Sequence, residues 1–149
     1  MSLALGVGLG ALVAGAALVR WARSRWLVVT VRGYSMEPTL RDGQRLIARR
    51  LSGSGAGAPG YGRSDIVVFL LPRPQIEAMD SAELPYRIKR VAAVPGDPVP
   101  DWALEALSAD ARTRVPPGKV VVSGDNPRSQ DSRQLGYIDS QALIAVVRL

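Results

Sequence analysis

The chain has 149 residues, a formal net charge of +6, and neither cysteine nor histidine. That length has room for one domain with a single core. The missing cysteines exclude a disulfide framework, a thiol nucleophile and a thiolate metal site, and the missing histidines remove the usual general base and the commonest metal ligand. Any catalysis must run on carboxylates, lysine, tyrosine or hydroxyls, and no metal or organic cofactor is indicated. Of the nineteen basic residues only Lys89 and Lys119 are lysines. The arginines are scattered, with local clusters at 20–25 and 49–50 and few aromatics among them, so the charge reads as a solvated basic surface that favours anionic lipid headgroups. A nucleic-acid partner is not expected, because a base-stacking platform needs aromatic side chains interleaved with cations.

In chain order, the first feature is the apolar run Leu3 to Val19, which ends at Arg20 with Trp21 and Trp26 nearby. As a helix it would span about 25 Å, and extension through Trp21 and Ala22 brings it close to a hydrocarbon core of about 30 Å. Residues 1–22 are therefore expected to form a transmembrane anchor. No basic residue precedes the apolar run, which argues against a cleaved signal peptide. Beyond it come short runs rich in β-branched residues, separated by turn chemistry, the pattern of a small antiparallel β domain over 26–149. Strands are expected at Leu27–Val31, Arg45–Ala48, Asp65–Leu71, Arg87–Val94, Lys119–Ser123 and Ala142–Leu149. Ser52 to Gly62, rich in Gly, Ser and Ala, reads as a flexible loop. Asp101 to Arg112 reads as a helix, with Asp101 as N-cap and Trp102, Leu104 and Leu107 as its apolar residues.

Four segments carry candidate chemistry. In Val31-Arg-Gly-Tyr-Ser-Met-Glu-Pro-Thr-Leu40 a strand runs into Gly33, which places Ser35 just past a strand end, where a backbone N–H can point at a bound carbonyl oxygen. In Tyr86-Arg-Ile-Lys-Arg-Val-Ala-Ala-Val-Pro-Gly-Asp97, Lys89 sits within an otherwise apolar strand. Facing inward it would lose its ammonium proton readily, whereas facing outward it is a solvated charge. Alternation groups it with Arg87 and Val91 and leaves that choice open. The third segment, Val122 to Tyr137, is a dense polar loop holding Asp125, Asn126, Ser129, Asp131, Ser132 and Arg133. The fourth, Gly62 to Phe69, is a turn entering a strand and reads as structural.

Together and in this order, the four segments resemble the conserved boxes of type I signal peptidases, membrane-bound serine proteases that use lysine as base. The resemblance runs from Val31 to Tyr137. Its most specific parts are Gly-x-Ser-Met-x-Pro-Thr-Leu, Lys-Arg-x-x-x-x-Pro-Gly-Asp, and Gly-Asp-Asn followed by Ser-x-Asp-Ser-Arg. It implies a mostly β, antiparallel coiled-sheet catalytic domain with one N-terminal transmembrane helix. It makes Ser35 the nucleophile and Lys89 the general base, with the Ser35 backbone N–H holding the oxyanion. Ser129 would hydrogen-bond the Lys89 amine, Asp131 and Arg133 would brace that loop, and Met36, Leu40 and Ile88 would line shallow pockets for small side chains. The composition agrees, since without histidine or cysteine an activated serine needs another base, and arginine does not lose its proton in proteins. Lys119 follows Pro116-Pro117-Gly118 and reads as an exposed strand start.

The implied activity is removal of signal peptides, with small residues before the cut, from secreted preproteins at a bacterial cell membrane. The position two before the nucleophile, a serine donor in some members, is Gly33 here. The connection from Asp97 to Lys119 is also shorter than in larger members, which implies a minimal core. Three rivals stand beside this reading. One is a dedicated propeptide maturase like the small proteases that mature nickel superoxide dismutase. The others are a self-cleaving repressor, whose DNA-binding helices are missing, and an inactive membrane-anchored β module. Topology is contested as well: Arg20, Arg23 and Arg25 follow the apolar run and no charge precedes it, so the positive-inside rule alone leaves the domain in the cytoplasm. The family resemblance places it outside.

Overall fold

The computed structural model describes residues 14–21, 23–51, 60–80 and 83–149. Most of the expected anchor, 1–13, and most of the expected loop, 52–59, lie outside the described residues. Residues 14–21 and 23–25 are helical and exposed. Among the described residues no helix is long and apolar enough to cross a membrane.

The rest is one seven-stranded sheet in the order β1-β2-β7-β3-β4-β5-β6, with every pairing antiparallel. The strands are β1 (Trp26–Thr30), β2 (Arg45–Arg50), β3 (Ile66–Leu70), β4 (Tyr86–Ala93), β5 (Lys119–Ser123), β6 (Ile138–Asp139) and β7 (Leu143–Arg148). Valine and isoleucine dominate β3, β5 and β7, whose side chains are buried on both faces at the centre. Such runs favour strands because branching at Cβ packs well on a pleated surface. β1 and β2 alternate instead, with Leu46 and Ala48 buried and Arg45 and Ile47 exposed, so one face meets solvent.

Strand order decides the site. β1 and β4 are four places apart in the sheet, so a flat sheet would hold them roughly 19 Å apart at about 4.8 Å per strand. Residues 31–40, leaving β1, cross the sheet face and close that distance, since Ser35 meets Lys89 of β4. Val31, Met36 and Leu40 of that segment pack with Leu46, Ala48, Ile66, Val68, Ala145 and Val147 into one apolar core. A second core lies between β3, β5 and β7 around Phe69, Val120 and Val146.

The helix expected over Asp101–Arg112 does not form. Asp101–Ala103 is a single 3-10 turn whose N-cap is Pro100, not Asp101, with no side-chain cap, and the chain continues as irregular turns with Ser108 at a φ of 50°. Its backbone bonds mix three spacings, Leu104 to Asp101, Leu107 to Ala103 and Ala109 to Leu104, which no regular helix can sustain. Ala103 is instead pulled into a small core with Ala93, Val99, Val115 and Val121. Two short helices absent from the expected pattern are present, Arg73–Glu77 and Ser132–Leu135.

Candidate active site

Among the described residues the buried polar or charged side chains are Lys89, Ser129, Asp131 and Ser132. All four lie where the 31–40 segment, β4 and the loop after β5 meet. Burying polar groups is costly unless they find partners, and each of these four has one.

Ser35 is set by the turn after β1. Gly33 adopts a φ of 78°, a left-handed conformation that glycine takes without a Cβ clash, and its N–H donates to Asp42 Oδ1 at 2.7 Å. The next residues form one tight turn, closed by Leu40 N–H donating to the Met36 carbonyl at 2.9 Å. That bond turns Leu40 into the core, where it is fully buried. Leu40 therefore lies behind the groove wall, while Met36 and Ile88 line the groove.

Lys89 faces inward, at 2% exposure, and its Nζ lies 2.7 Å from Ser35 Oγ and 3.1 Å from the Ile88 carbonyl oxygen. Its pKa falls from 10.5 to about 8: burial is the largest cause, the Arg87 guanidinium adds to it, and Asp131 opposes both. An amine in this state and position can take the proton of a hydroxyl. Lys119, by contrast, is partly exposed and pairs with Asp139 at 2.6 Å.

The loop after β5 holds the two groups together. Asn126 grips the Ser35 turn twice, with its backbone N–H on the Ser35 carbonyl at 3.1 Å and its Nδ2 on the Tyr34 carbonyl at 3.0 Å. Its Oδ1 accepts from Arg128 N–H, and its carbonyl accepts from Ser129 N–H. Gly124 makes this contact possible. A Cβ there would fall 2.0 Å from Ser129 Oγ and 2.7 Å from the Ser35 carbonyl oxygen, closer than atoms can pack.

Ser129 lines the groove with Lys89, but its hydroxyl donates to the Gln130 carbonyl at 3.2 Å, and the expected bond to the amine is not made. Asp131, 1% exposed, accepts from both Arg133 Nε and Nη2 at 2.9 Å and from Gly124 N–H at 3.2 Å. Burial alone would raise its pKa, and the hydrogen bonds from Arg133 and Gly124 outweigh that and hold it low. Asp131 also caps Ser132–Leu135 in a capping box completed by Gln134, a role marked in the sequence by Asp-x-x-Gln. Arg133 in turn lies over the Trp102 ring, 5.8 Å from its centroid. Beneath the loop, Arg90 pairs with Asp125 at 2.5 and 2.8 Å.

The groove that opens on Ser35 and Lys89 has a cavity volume of about 1790 Å³ and is lined by residues 27–37 and 86–89 among others. Among the described residues β1 pairs on one side only, with β2, and residues 86–89 of β4 pair only with β3. Both free edges border the groove, so an extended peptide could hydrogen-bond along them as an added strand. Among the described residues no group of three or more carboxylates could hold a metal ion.

The chain matches the signal peptidase, peptidase S26, family over residues 4–101 and 100–149. Signal peptidase IB of Staphylococcus aureus is 29% identical over 153 residues, which cover 79% of this chain and 73% of that protein. Signal peptidase I of Bacillus caldolyticus is 29% identical over 150 residues, covering 78% and 74%. The chain is thus a serine protease hydrolase. It belongs to the signal peptidase family, peptidase S26.

Proposed function

We propose that this chain removes signal peptides from exported preproteins by a Ser35–Lys89 mechanism. The observation that carries the reading is the 2.7 Å contact between Ser35 Oγ and a lysine amine that is 2% exposed. Neutral Lys89 takes the Ser35 proton as Oγ attacks the scissile carbonyl, and it returns that proton to the leaving amine. The acyl-enzyme is then hydrolysed by a water that Lys89 deprotonates. The Ser35 backbone N–H stabilises the oxyanion. Met36 and Ile88 bound shallow pockets that suit small side chains before the cut. Ser129, Asp131 and Arg133 support the base through the loop after β5. The apolar run 3–19 anchors the chain in a bacterial membrane in a single pass, with the catalytic domain outside the cytoplasm.

Ser35→Ala in the full-length protein should abolish cleavage of a preprotein, read by mass spectrometry of the cut site, while leaving the melting temperature near that of the parent. Lys89→Arg should be equally inactive because guanidinium stays protonated, and Lys119→Arg should cleave nearly normally. Turnover by purified Ser35→Ala, or equal rates in the two lysine variants, would sink the mechanism.

A further inference from the structure

Arg87 stands two residues before Lys89 in β4, so alternation puts both side chains on one face about 7 Å apart, and both line the groove. The guanidinium is tied down. Its Nη1 donates to the carbonyls of Leu84 at 2.7 Å and Tyr86 at 3.1 Å, and its Nη2 meets Glu83 Oε2 at 3.3 Å. The Glu83 side chain is 57% exposed against 29% for Arg87, so water screens the carboxylate more than the cation and the pair does not cancel at Lys89. β3 adds no charge, since the residues opposite Arg87 and Lys89 are Phe69 and Val67, both fully buried. From the loop after β5 Lys89 faces Asp131, whose carboxylate is held by Arg133. The groove also carries Arg32, Glu37, Arg50, Asp80 and Arg128.

We propose that Arg87 is a positioning residue that acts through Lys89: its fixed positive charge disfavours the ammonium and keeps the amine available as a base at a lower pH than burial alone allows. The inference rests on the reading of Lys89 as general base. A cation on the same strand face acts whatever occupies the groove, so it raises the neutral fraction of the amine already in the free enzyme, before substrate expels water. The direction agrees with the pKa of about 8, to which Arg87 contributes after burial.

With only two lysines in the chain, full-length protein labelled with carbon-13 at lysine Cε gives two titrating signals, assigned by Lys119→Arg. Lys89 should titrate near about 8. Arg87→Gln should move that midpoint up by roughly 0.5 to 1 pH unit, and the acid limb of kcat/KM should move with it. Arg87→Lys, which keeps a cation at the site, should stay near the parent. In unsubstituted protein, raising salt from about 0.05 to about 0.5 M should raise the midpoint, because half-exposed Arg87 is screened more than buried Asp131. An unmoved midpoint in Arg87→Gln overturns the proposal, as does Arg87→Lys titrating like Arg87→Gln. Should Arg87→Gln fail to fold, a salt-independent midpoint in the parent overturns it. The titration is read without substrate, so a shifted midpoint beside a fully active Ser35→Ala protein would uphold the charge effect while removing the proposed peptidase mechanism.

Discussion

Lys89 is held in a state that favours chemistry over stability. Its folded pKa of about 8 lies below the ordinary 10.5, so between those values the unfolded chain binds more protons than the folded one. Stability therefore rises with pH across that window, and below about 8 the whole cost of burying the ammonium is present. Lys89→Met, similar in volume and apolar, should accordingly be more stable than the parent at pH 7 by roughly 1 to 3 kcal/mol. Urea unfolding at several pH values checks this, and the gain should shrink as pH approaches 10.5. A variant that unfolds more easily at pH 7 would contradict the account. Under the proposed mechanism kcat/KM should likewise rise through about 8 as the amine becomes neutral. The sequence offers Lys89 as a candidate without deciding its direction. What buries it is the segment bearing Ser35, 54 residues away in the chain, and no local pattern encodes a contact across that distance.

The strands are the most legible elements. Six of them appear in the sequence as β-branched runs, with ends within about two residues of the observed bounds; β6, two residues long, has no pattern to read. The helix expected at 101–112 fails because its apolar spacing serves a different end: Ala103 packs inward while Trp102 stays 43% exposed beside Arg133. The loop after β5 is legible as a polar motif, but its function as a clamp is not, because that depends on Gly124 lacking a Cβ. Gly124→Ala should cost roughly 1 to 3 kcal/mol and lower kcat, since either Ser129 or the Ser35 carbonyl must move. Gly33→Ala is the useful contrast. Nothing lies within 4 Å of the added Cβ, so only the strain of a positive φ applies, about 1 kcal/mol. Melting curves and turnover for the pair test the difference; equal loss of kcat in both would mean that the crowding at Gly124 is not what holds the nucleophile.

Across the whole molecule, residues 31–40 must cross the sheet before Ser35 can meet Lys89 of β4, and no strand periodicity encodes that crossing. The proposed anchoring would take its topology from residues 1–25, where the arginine distribution and the proposed substrate disagree. A reporter pair fused after Leu149, one active only in the cytoplasm and one only outside it, should report the outside location. Signal from the cytoplasmic reporter alone would instead favour a cytoplasmic propeptide maturase. The unpaired strand edges have one more consequence. With β1 and the start of β4 unpaired along the groove, the empty enzyme exposes two backbone edges that any extended chain could join, including another copy of itself. Arg32, Arg50, Arg87, Glu83 and Arg128 ring that opening, and charges at a sheet edge deter such pairing because a second edge would have to bury them. The ring would thus help keep one copy from adding its strand to another at this opening.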